Sequence, residues 1–347
     1  MDIQAPEPVT QAQLRAAMTH RLLRRSVSRG EITLPAAPGM IDEYVTMCEN
    51  LFAAAGSPFN SEQRDHLRTV LQGQLDRAYE VSPRSNIVIT YHSPVGTALN
   101  YNVNGQWWTV EGAYENWIST RKPPLFGTHP DARVWAVANE DADLATHHVL
   151  DIGAGTGRNA LALARKGFPV DVVELTPKFA EMIRESATEE SLNVRVIQRD
   201  VFDTLDDLRQ DYQLIFLSEV VSDFRSTDHL RGLFHLAAHC LAPGGRLLFN
   251  AFLARPGYTP DNAARELGQQ MYTSVFTVEE MSRAVHGYPF QLESDHSVYD
   301  YEKANIPAEF WPPTSWYEDW TTGRDLFDVP REECPIDMRW LVFRKTV

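Results

Sequence analysis

Apolar and polar positions alternate along the second half of the chain in a way that predicts strands and helices by turns. Residues 149–152 form an apolar run typical of a buried strand, and a glycine-rich turn at 153–157 follows it. Residues 159–166 carry Ala and Leu at helical spacing, and a second apolar run ends in the acid Glu174. Strand, glycine turn, helix, strand and terminal carboxylate together make half of a nucleotide-binding α/β fold.

The N-terminal third has a different pattern, with apolar residues at helical spacing between breaks that contain Pro or Gly. The expected helices cover roughly 10–28, 40–55 and 61–79. A strand is expected at 86–91, and Asn104-Gly105 between two alternating runs predicts a β-hairpin with a type I′ turn. The expected organisation is a helical region at 1–85, a hairpin, aromatic cap and linker at 86–140, and a core at 141–347 with a Trp-rich insertion at about 302–335.

The glycine turn has the chemistry of a nucleotide site. Gly153, Gly155 and Gly157 let a ligand approach the backbone without meeting a Cβ, and the following helix N-terminus adds amide donors. A carboxylate about 20 residues further on, at Glu174, can accept both hydroxyls of a ribose. Arg158 stands where dinucleotide-binding turns have their third glycine, and the sequence contains no G-x-x-x-x-G-K-[ST] loop. Both departures argue against NAD and ATP.

Residues 149–157 together with Glu174 closely resemble motif I and the following acid of class I S-adenosylmethionine (SAM) dependent methyltransferases. Residues 193–201, 212–218 and 241–250 resemble that family's third strand, fourth strand and Leu-x-Pro-Gly-Gly turn into strand five. A glycine turn that only links a strand to a helix is the alternative, and the order of the motifs argues against it. The resemblance implies SAM as cofactor, S-adenosylhomocysteine (SAH) as product, and a seven-stranded doubly wound sheet of order 3-2-1-4-5-7-6 whose last strand is antiparallel.

The resemblance also implies which residues hold the cofactor. Leu175 is expected to touch the adenine, Asp200 to bind its amino group, and Val201 to pack on its face. A solvated loop acid is the alternative for Asp200. The full set of cofactor-binding residues implied in this way is Asp151, Gly153, Ala154, Gly155, Gly157, Asn159, Glu174, Leu175, Asp200, Val201, Ser218 and Glu219.

The segment after the fourth core strand, where this family usually meets its acceptor, reads Ser-Glu-Val-Val-Ser-Asp from residue 218. It lacks the [D/N]-P-P-[Y/F] motif of nucleobase and protein-amide N-methylases, and no Cys stands at a position suited to pyrimidine C5 attack. Glu219, Ser222 and Asp223 lie at the carboxyl end of a strand, where open α/β sheets bind ligands. Glu219 or Asp223 is a candidate base, and helix-capping acids are the alternative.

Aromatic residues gather in two places outside the core motifs. Tyr101, Trp107, Trp108, Tyr114 and Trp117 form either a small hydrophobic core or a lid over the acceptor. A Trp-rich loop at 306–320 forms either a wall of the acceptor pocket or a surface packed on the N-terminal helices. The predicted substrate-binding set is Tyr101, Trp107, Ser222, Asp223, Tyr258, Trp311 and Trp316.

No dedicated nucleophile is expected, because the reaction is a direct displacement on the methyl group of SAM. A base is needed only when the acceptor must lose a proton. Tyr91, His92, His129, Glu219 and Asp223 are the candidates, and none is established.

The composition of the chain restricts the kinds of binding partner that we expect. A net charge of −15, from 32 basic and 47 acidic residues, argues against nucleic acid. No apolar run is long enough to span a membrane, the N-terminus has no secretory pattern, and Cys48, Cys240 and Cys334 are scattered as in a reducing cytoplasm. No metal is expected, since His235 and His239 have no third ligand nearby.

One basic cluster lies near the N-terminus: Arg15, Arg21, Arg24, Arg25 and Arg29. Because Leu14, Met18 and Leu22 share a helical face there, we expect the solvated side of a packed helix. A transit peptide is the weaker alternative. The N-terminal region is expected to cap the site, shape the acceptor pocket or form a dimer contact.

The sequence therefore predicts a cytoplasmic SAM-dependent methyltransferase, monomeric or homodimeric, that methylates O or N of a small-molecule acceptor. The acidic surface, the missing N-methylase motif and the extra aromatic segments favour this interpretation. A protein or RNA methyltransferase and a non-catalytic SAM/SAH-binding module are the alternatives.

Overall fold

The computed structural model describes residues 9–23, 25–94, 98–140, 144 and 146–347. The chain divides into an N-terminal unit, residues 1–109, and a C-terminal unit, residues 110–347. Neither border predicted from the sequence, at 85/86 and 140/141, coincides with this division. The expectation about a leader sequence concerns residues 1–8, which lie outside the described residues, as does Arg24 of the basic cluster.

Within its described residues, the N-terminal unit combines helices with an antiparallel sheet of order β1-β2-β3. The three predicted helices are present, the first of them shorter than predicted, and β1 lies in a stretch that the sequence left unassigned. The elements are α1 (Gln11–Leu23), β1 (Ser28–Pro35), α2 (Ile41–Ala54), α3 (Ser61–Val81), β2 (Asn86–Ser93) and β3 (Asn100–Gln106).

The predicted hairpin turn at Asn104-Gly105 is wrong. Strand β3 runs straight through both residues and pairs with β2, so that Asn104 lies opposite Val88 and Gly105 opposite Ile87. A glycine is used here for space, because a Cβ on Gly105 would collide with the ring of Trp107. The sheet thus takes its register from the buried side of β2, and the local turn signal is overridden.

Helix α1 is exposed rather than packed. The core of the N-terminal unit is formed by β2, α2 and α3, with Leu67 and Leu71 fully buried. By contrast α1 buries no residue, and its apolar stripe of Leu14, Met18 and Leu22 is between 50% and 66% exposed. The prediction of a packed helix with one solvated face is therefore wrong.

The C-terminal unit is an α/β sandwich whose core occupies both faces of a central sheet. Helices α4 and α11 were not predicted from the sequence. The elements are α4 (Val110–Thr120), α5 (Ala132–Asn139), β4 (Val149–Ile152), α6 (Arg158–Lys166), β5 (Val170–Glu174), α7 (Pro177–Glu189), β6 (Val194–Gln198), β7 (Tyr212–Leu217), α8 (Thr227–Cys240), β8 (Leu241–Ala254), α9 (Asn262–Gln270), β9 (Val275–Phe276), α10 (Val278–Val285), β10 (Phe290–Ser297), α11 (Val298–Asn305), α12 (Tyr317–Thr321) and β11 (Ile336–Lys345).

The central sheet has the order β6-β5-β4-β7-β8-β11-β10, and the short β9 adds to β8. Counted along the core this is 3-2-1-4-5-7-6, and β11 is antiparallel to both of its neighbours. The predicted fold class is confirmed. The chain order reverses between β4 and β7, which places the glycine turn after β4 at the switch point where such sheets bind ligands.

In the described part of the chain, no helix is long and apolar enough to cross a membrane.

Leu71→Ala and Leu14→Ala make the same side-chain change at a buried and an exposed position of the N-terminal unit. We expect Leu71→Ala to lower the unfolding free energy of this unit by about 2–5 kcal/mol, because it leaves a cavity beside fully buried neighbours. Leu14→Ala should change it by less than about 0.5 kcal/mol. Hydrogen–deuterium exchange of the α3 amides in the full chain measures both effects. A comparable loss from both variants would mean that α1 is packed after all.

Candidate functional site

The turn between β4 and α6 has the backbone conformation that its glycines permit. Gly153, Gly155 and Gly157 have φ angles of 69°, 56° and 82°, in the left-handed region that other residues avoid. A Cβ on Gly153 would collide with Val220, which follows the end of β7. The turn is therefore held against the end of the neighbouring strand, and its three glycines present backbone without a Cβ.

Glu174 ties this turn to the end of β5. Its Oε2 accepts a hydrogen bond of 2.8 Å from the Gly155 amide, and its Oε1 accepts one of 2.8 Å from the Thr176 amide. The carboxyl is 5% exposed, and burial raises its pKa above the ordinary value. The hydrogen bonds from Gly155 and Thr176 oppose the effect of burial and favour the ionised carboxylate.

An aromatic cluster lies over the glycine turn. A Cβ on Gly155 would sit 3.1 Å from the ring of Phe126, which stacks on Trp117 of α4 at a centroid distance of 4.9 Å. Phe126 also meets Phe179 of α7 at 5.6 Å, and Tyr114 of α4 meets Phe179 at 6.3 Å. Residues 110–127 thus place rings beside the turn within the C-terminal unit.

Asp151, on β4 directly below the turn, is 2% exposed. Its Oδ2 has no hydrogen-bond partner in the described structure. Burial, followed by the nearby Glu174 and Asp131 charges, raises its pKa well above the ordinary value. An unpartnered buried carboxyl oxygen is costly, and a ligand that donates a hydrogen bond would relieve that cost.

A buried ion-pair network runs beside the turn. Arg158, the first residue of α6, donates to Asp131 Oδ1 at 2.6 Å and to the His129 carbonyl oxygen at 3.2 Å. Asp131 Oδ2 accepts from Asn159 Nδ2 at 2.8 Å and from Ser218 Oγ at 2.6 Å. The side-chain polar groups of Asn159 and Ser218, both predicted to hold the cofactor, therefore bond to Asp131 in this structure.

Glu219, just beyond the end of β7, is the second acid beside Arg158. Its Oε1 lies 3.2 Å from Arg158 Nη2, and its side chain is 14% exposed. The backbone has a φ of 64°, which is unusual for a residue other than glycine. Its amide donates to Asn250 Oδ1 at 2.7 Å, and its carbonyl oxygen accepts from the Ser222 hydroxyl at 3.0 Å. A strained conformation held from both sides is common where function requires it.

The geometry agrees with the comparison with known proteins. Residues 149–245 match a family model described as "Methyltransferase domain". This part of the chain is thus a methyltransferase domain, and its sheet has the strand order expected for the class I SAM-dependent type. The resemblance to methyltransferases and the enzyme class that the motifs predicted are thereby confirmed for this domain.

Curated relatives of the methyltransferase domain are named "Ubiquinone biosynthesis O-methyltransferase". The protein from Erwinia tasmaniensis is 25% identical over 148 residues, which cover 43% of this chain and 56% of the relative. The Klebsiella pneumoniae protein has the same identity and coverage. The chain thus spans about half the length of the curated relatives it matches.

Solved structures give a looser likeness. A geranyl diphosphate methyltransferase in complex with SAM is 14% identical, with a TM-score of 0.49 over 62% of this chain and 84% of that chain. The geranyl diphosphate C-methyltransferase of Streptomyces coelicolor A3(2) is 15% identical, with a TM-score of 0.48 over 62% of this chain and 78% of that chain. With TM-scores below 0.5, these likenesses add nothing to the assignment.

The remaining predicted cofactor residues surround the same edge of the domain. Ala154 lies partly buried in the glycine turn. Leu175 is 43% exposed directly after Glu174, as expected for a residue that meets a ligand. Asp200 is exposed, which fits the alternative of a solvated loop acid, and its Oδ1 accepts from the Phe202 amide at 3.0 Å. Val201 is partly buried. The contact of each with adenine stays a prediction.

The candidate acceptor residues of the C-terminal unit form two groups, one after β7 and one in and near the Trp-rich segment. Asp223 Oδ2 accepts a hydrogen bond of 2.7 Å from Tyr114 Oη, and this pair lies beside the aromatic cluster. Ser222 is 2% exposed, and the hydrogen bond of its hydroxyl to the Glu219 carbonyl shows it in a supporting position.

The Trp-rich segment covers the sheet. Trp311 and Trp316 both contact Tyr317, at 5.7 and 6.3 Å between ring centroids, and Trp311 donates to Glu318 Oε1 at 3.3 Å. Tyr258 packs against Phe327 at 5.8 Å. All three predicted wall residues thus join the core on one face of the sheet, and their contact with an acceptor stays a prediction.

Four candidates belong to the N-terminal unit. Tyr91 covers Gly30 across the sheet, and Tyr101 stacks on Phe52 at 5.8 Å. Both rings fit the small-core interpretation of these aromatics. Trp107 is 49% exposed and His92 is exposed. Their roles as base or acceptor contacts stay predictions, as does the role of the N-terminal unit as a cap.

His129, the remaining candidate base, lies in the C-terminal unit. Its Nδ1 is 2.8 Å from the Pro130 carbonyl oxygen, and its ring meets Phe310 at 5.1 Å. In the described part of the chain, no group of three His, Cys, Asp or Glu residues is arranged to hold a metal.

Sequence reasoning missed several residues that shape this site. Asp131 and Glu302 carry no motif, and Arg158 was noted only as a departure from the dinucleotide fingerprint. Glu302 accepts from the Ala132 and Arg133 amides at 2.7 and 3.1 Å and so caps α5 from 170 residues away. A buried acid next to the start of a helix leaves no local signal when its partner lies so far along the chain.

Glu302 should make the stability of the methyltransferase domain depend on pH. The residue is fully buried, and burial together with the Asp131 charge raises its pKa. A raised carboxyl pKa stabilises the folded state at low pH, and this contribution is lost as the pH rises above about 4 towards the folded-state pKa. We expect the unfolding free energy to fall over this range, and to fall less steeply in Glu302→Gln. Urea denaturation between pH 4 and pH 9 measures both slopes, and equal slopes would contradict this assignment.

Proposed function

We propose that the C-terminal unit binds SAM at the glycine turn and transfers its methyl group to an oxygen or nitrogen atom of a small-molecule acceptor. The observation that carries this proposal is the coupling of the Gly155 turn to the Glu174 carboxylate at the switch point of the sheet. The three glycines of the turn offer backbone without side chains, and the Glu174 carboxylate beside them is placed to accept hydrogen bonds from ribose hydroxyls. The proposal goes beyond the family assignment, because the matched relatives are covered only in part.

The residues present fit SAM in their chemistry. Glu174 would hold the ribose hydroxyls and Leu175 the adenine, while Asp151 and Glu219 would face the amino-acid end of the ligand. SAM, when bound, would supply an electrophilic methyl group: the acceptor atom would form a bond to the methyl carbon as the carbon–sulfur bond breaks, and SAH would leave. The chain itself aligns the acceptor, excludes water with the rings of residues 110–127, and receives a proton when the acceptor must lose one.

Asp223 is our preferred proton acceptor. It follows the end of β7, on the same edge of the sheet as the glycine turn, and its hydrogen bond from Tyr114 fixes the orientation of the carboxyl. A carboxylate at the acceptor end of β7 can take a proton from an acceptor hydroxyl or ammonium group. The curated relatives are named O-methyltransferases, which supports an oxygen acceptor. A cytoplasmic location, a monomer or homodimer, and the absence of nucleic-acid and membrane partners stay predictions.

Gly155→Ala tests the cofactor site. A Cβ at this φ of 56° strains the turn and meets the Phe126 ring at 3.1 Å, so we expect SAH affinity to fall by about tenfold or more, ~1.4 kcal/mol. Isothermal titration calorimetry of the full chain with SAH measures this directly.

Gly287→Ala is the matched control. Gly287 also has a positive φ, of 89°, but nothing lies within 4 Å of its Cβ position. This variant should introduce a comparable backbone strain and still bind SAH with the affinity of the wild type. A wild-type protein that fails to bind SAH would overturn the proposal, and equal binding by Gly155→Ala would move the site away from this turn.

Catalysis is a separate measurement. Wild-type protein, SAM and a small-metabolite extract should give products heavier by one CH₂ unit, and Asp223→Asn should reduce them if the acceptor loses a proton to this carboxyl. Methylated peptide or RNA in place of methylated metabolites would overturn the acceptor class. SAH binding without any methylated product would leave the chain as a binding module.

A further inference from the structure

Arg158 takes the place of the third glycine of a dinucleotide turn and turns its side chain to two acids. Its guanidinium is 6% exposed and joins Asp131, at 2.6 Å, to Glu219, at 3.2 Å. The backbone carbonyl oxygen of His129 accepts a third hydrogen bond from it, at 3.2 Å. The planar, multi-donor guanidinium is suited to hold several oxygens at fixed angles.

The two acids differ in what they leave for a ligand. Asp131 is 1% exposed, and both of its oxygens are used by Arg158, Asn159 and Ser218. Glu219 is 14% exposed, and its Oε2 makes no hydrogen bond to the residues that the structure describes. Of the two partners of Arg158, therefore, Glu219 is the one with an oxygen available.

Glu219 lies beside the glycine turn. The side chain of the next residue, Val220, occupies the space where a Cβ on Gly153 would be, so the segment after β7 packs directly against the glycine turn. The positive φ of Glu219 is held by Asn250 at its amide and by Ser222 at its carbonyl oxygen. The chain thus fixes both the backbone and the carboxyl of this residue next to the proposed cofactor.

We propose that Arg158 is a positioning residue that holds the Glu219 carboxylate ionised beside the glycine turn, where this carboxylate receives a cationic group of the methyl donor. The inference rests on the proposed function. SAM offers two cationic groups, the α-ammonium and the sulfonium, and SAH keeps only the first.

Electrostatics supports the role. Burial raises the pKa of Glu219, the Arg158 charge opposes that rise, and the Asp131 charge adds to it. Arg158 of α6 and Asp131 of the segment before α5 are thus the charged groups that face Glu219, and the Glu219 charge also acts on the buried Tyr317 of α12. Without Arg158, a buried carboxyl next to Asp131 would keep its proton at neutral pH, and a neutral group does not attract a cation.

The test measures the affinity for SAM and for SAH between pH 5.5 and pH 8.5 by calorimetry, in the full chain. In Arg158→Met we expect affinity at pH 7 to fall by about tenfold or more, and the midpoint of its pH dependence to move up by about one pH unit or more. Arg158→Lys, which keeps the charge, should recover most of the affinity. Arg165→Met is the matched control, because Arg165 lies on the same helix, is 51% exposed and pairs with Glu190.

Glu219→Gln tests whether Arg158 affects the affinity through the Glu219 carboxylate. Alone, it should weaken binding about as much as Arg158→Met and abolish this part of the pH dependence. In the Glu219→Gln background, Arg158→Met should add less than about a twofold loss, since coupled residues are not additive. Loss of affinity for both ligands assigns the ammonium and loss for SAM alone assigns the sulfonium, and both support the proposal.

The outcomes that overturn the inference differ from those that overturn the proposed function. Wild-type protein that binds neither ligand removes both. Wild-type binding combined with an unchanged pH profile in Arg158→Met, or with an undiminished loss in the Glu219→Gln background, removes the role of Arg158 alone. Should Arg158→Met fail to fold, Arg158→Lys and Glu219→Gln still decide, because wild-type affinity and pH profile in Glu219→Gln contradict the proposal.

Discussion

The buried contact between Arg158 and Asp131 is the interaction on which the rest of the site depends. It joins the N-terminus of α6, the segment before α5 and, through Glu219, the end of β7. Breaking such a pair by removing one partner costs about 3–5 kcal/mol, because a charge is left in the interior. The three segments are therefore fixed relative to one another by one guanidinium, and the glycine turn inherits its geometry from them.

The buried charges of the C-terminal unit are concentrated around this contact and are mostly negative. Asp131, Asp151, Glu174 and Glu302 are all less than 6% exposed, and Arg158 is the cation that faces Asp131. Burial raises the pKa of Asp151, Glu174 and Glu302, which lets part of this charge be neutralised by protons. Buried carboxyl groups close to the glycine turn favour the binding of a cationic ligand there, and the sulfonium of SAM is a cation.

The aromatic cluster of residues 110–127 contributes apolar packing beside the glycine turn. Trp117, Phe126 and Phe179 pack as rings in the contact range of 4.9 to 5.6 Å, and Tyr114 adds a hydrogen bond to Asp223. Apolar surface over the turn excludes water, which strengthens each electrostatic contact beneath it. The same segment thus connects the proposed cofactor turn to the proposed acceptor end of β7.

The resemblance to a known family supplied the strand order, and the sequence patterns themselves determined the α/β class of the C-terminal unit, the glycine turn and the position of Glu174. These features depend on short-range patterns, since apolar periodicity, turn glycines and a strand-terminal acid are all encoded within a few residues. The prediction from sequence was wrong where tertiary contacts overrode the local pattern. Asn104-Gly105 entered a strand because β2 offered a ladder, and the apolar stripe of α1 found no core to cover.

Only the tertiary structure decided which polar groups meet. Arg158 and Asp131 are 27 residues apart, Tyr114 and Asp223 are 109 apart, and Glu302 caps a helix 170 residues away. A buried charge requires some partner, but the sequence does not state which one, because that choice depends on the segments that the completed sheet brings side by side. The turn that would hold the cofactor could thus be read from the sequence, and the network that holds the turn could not.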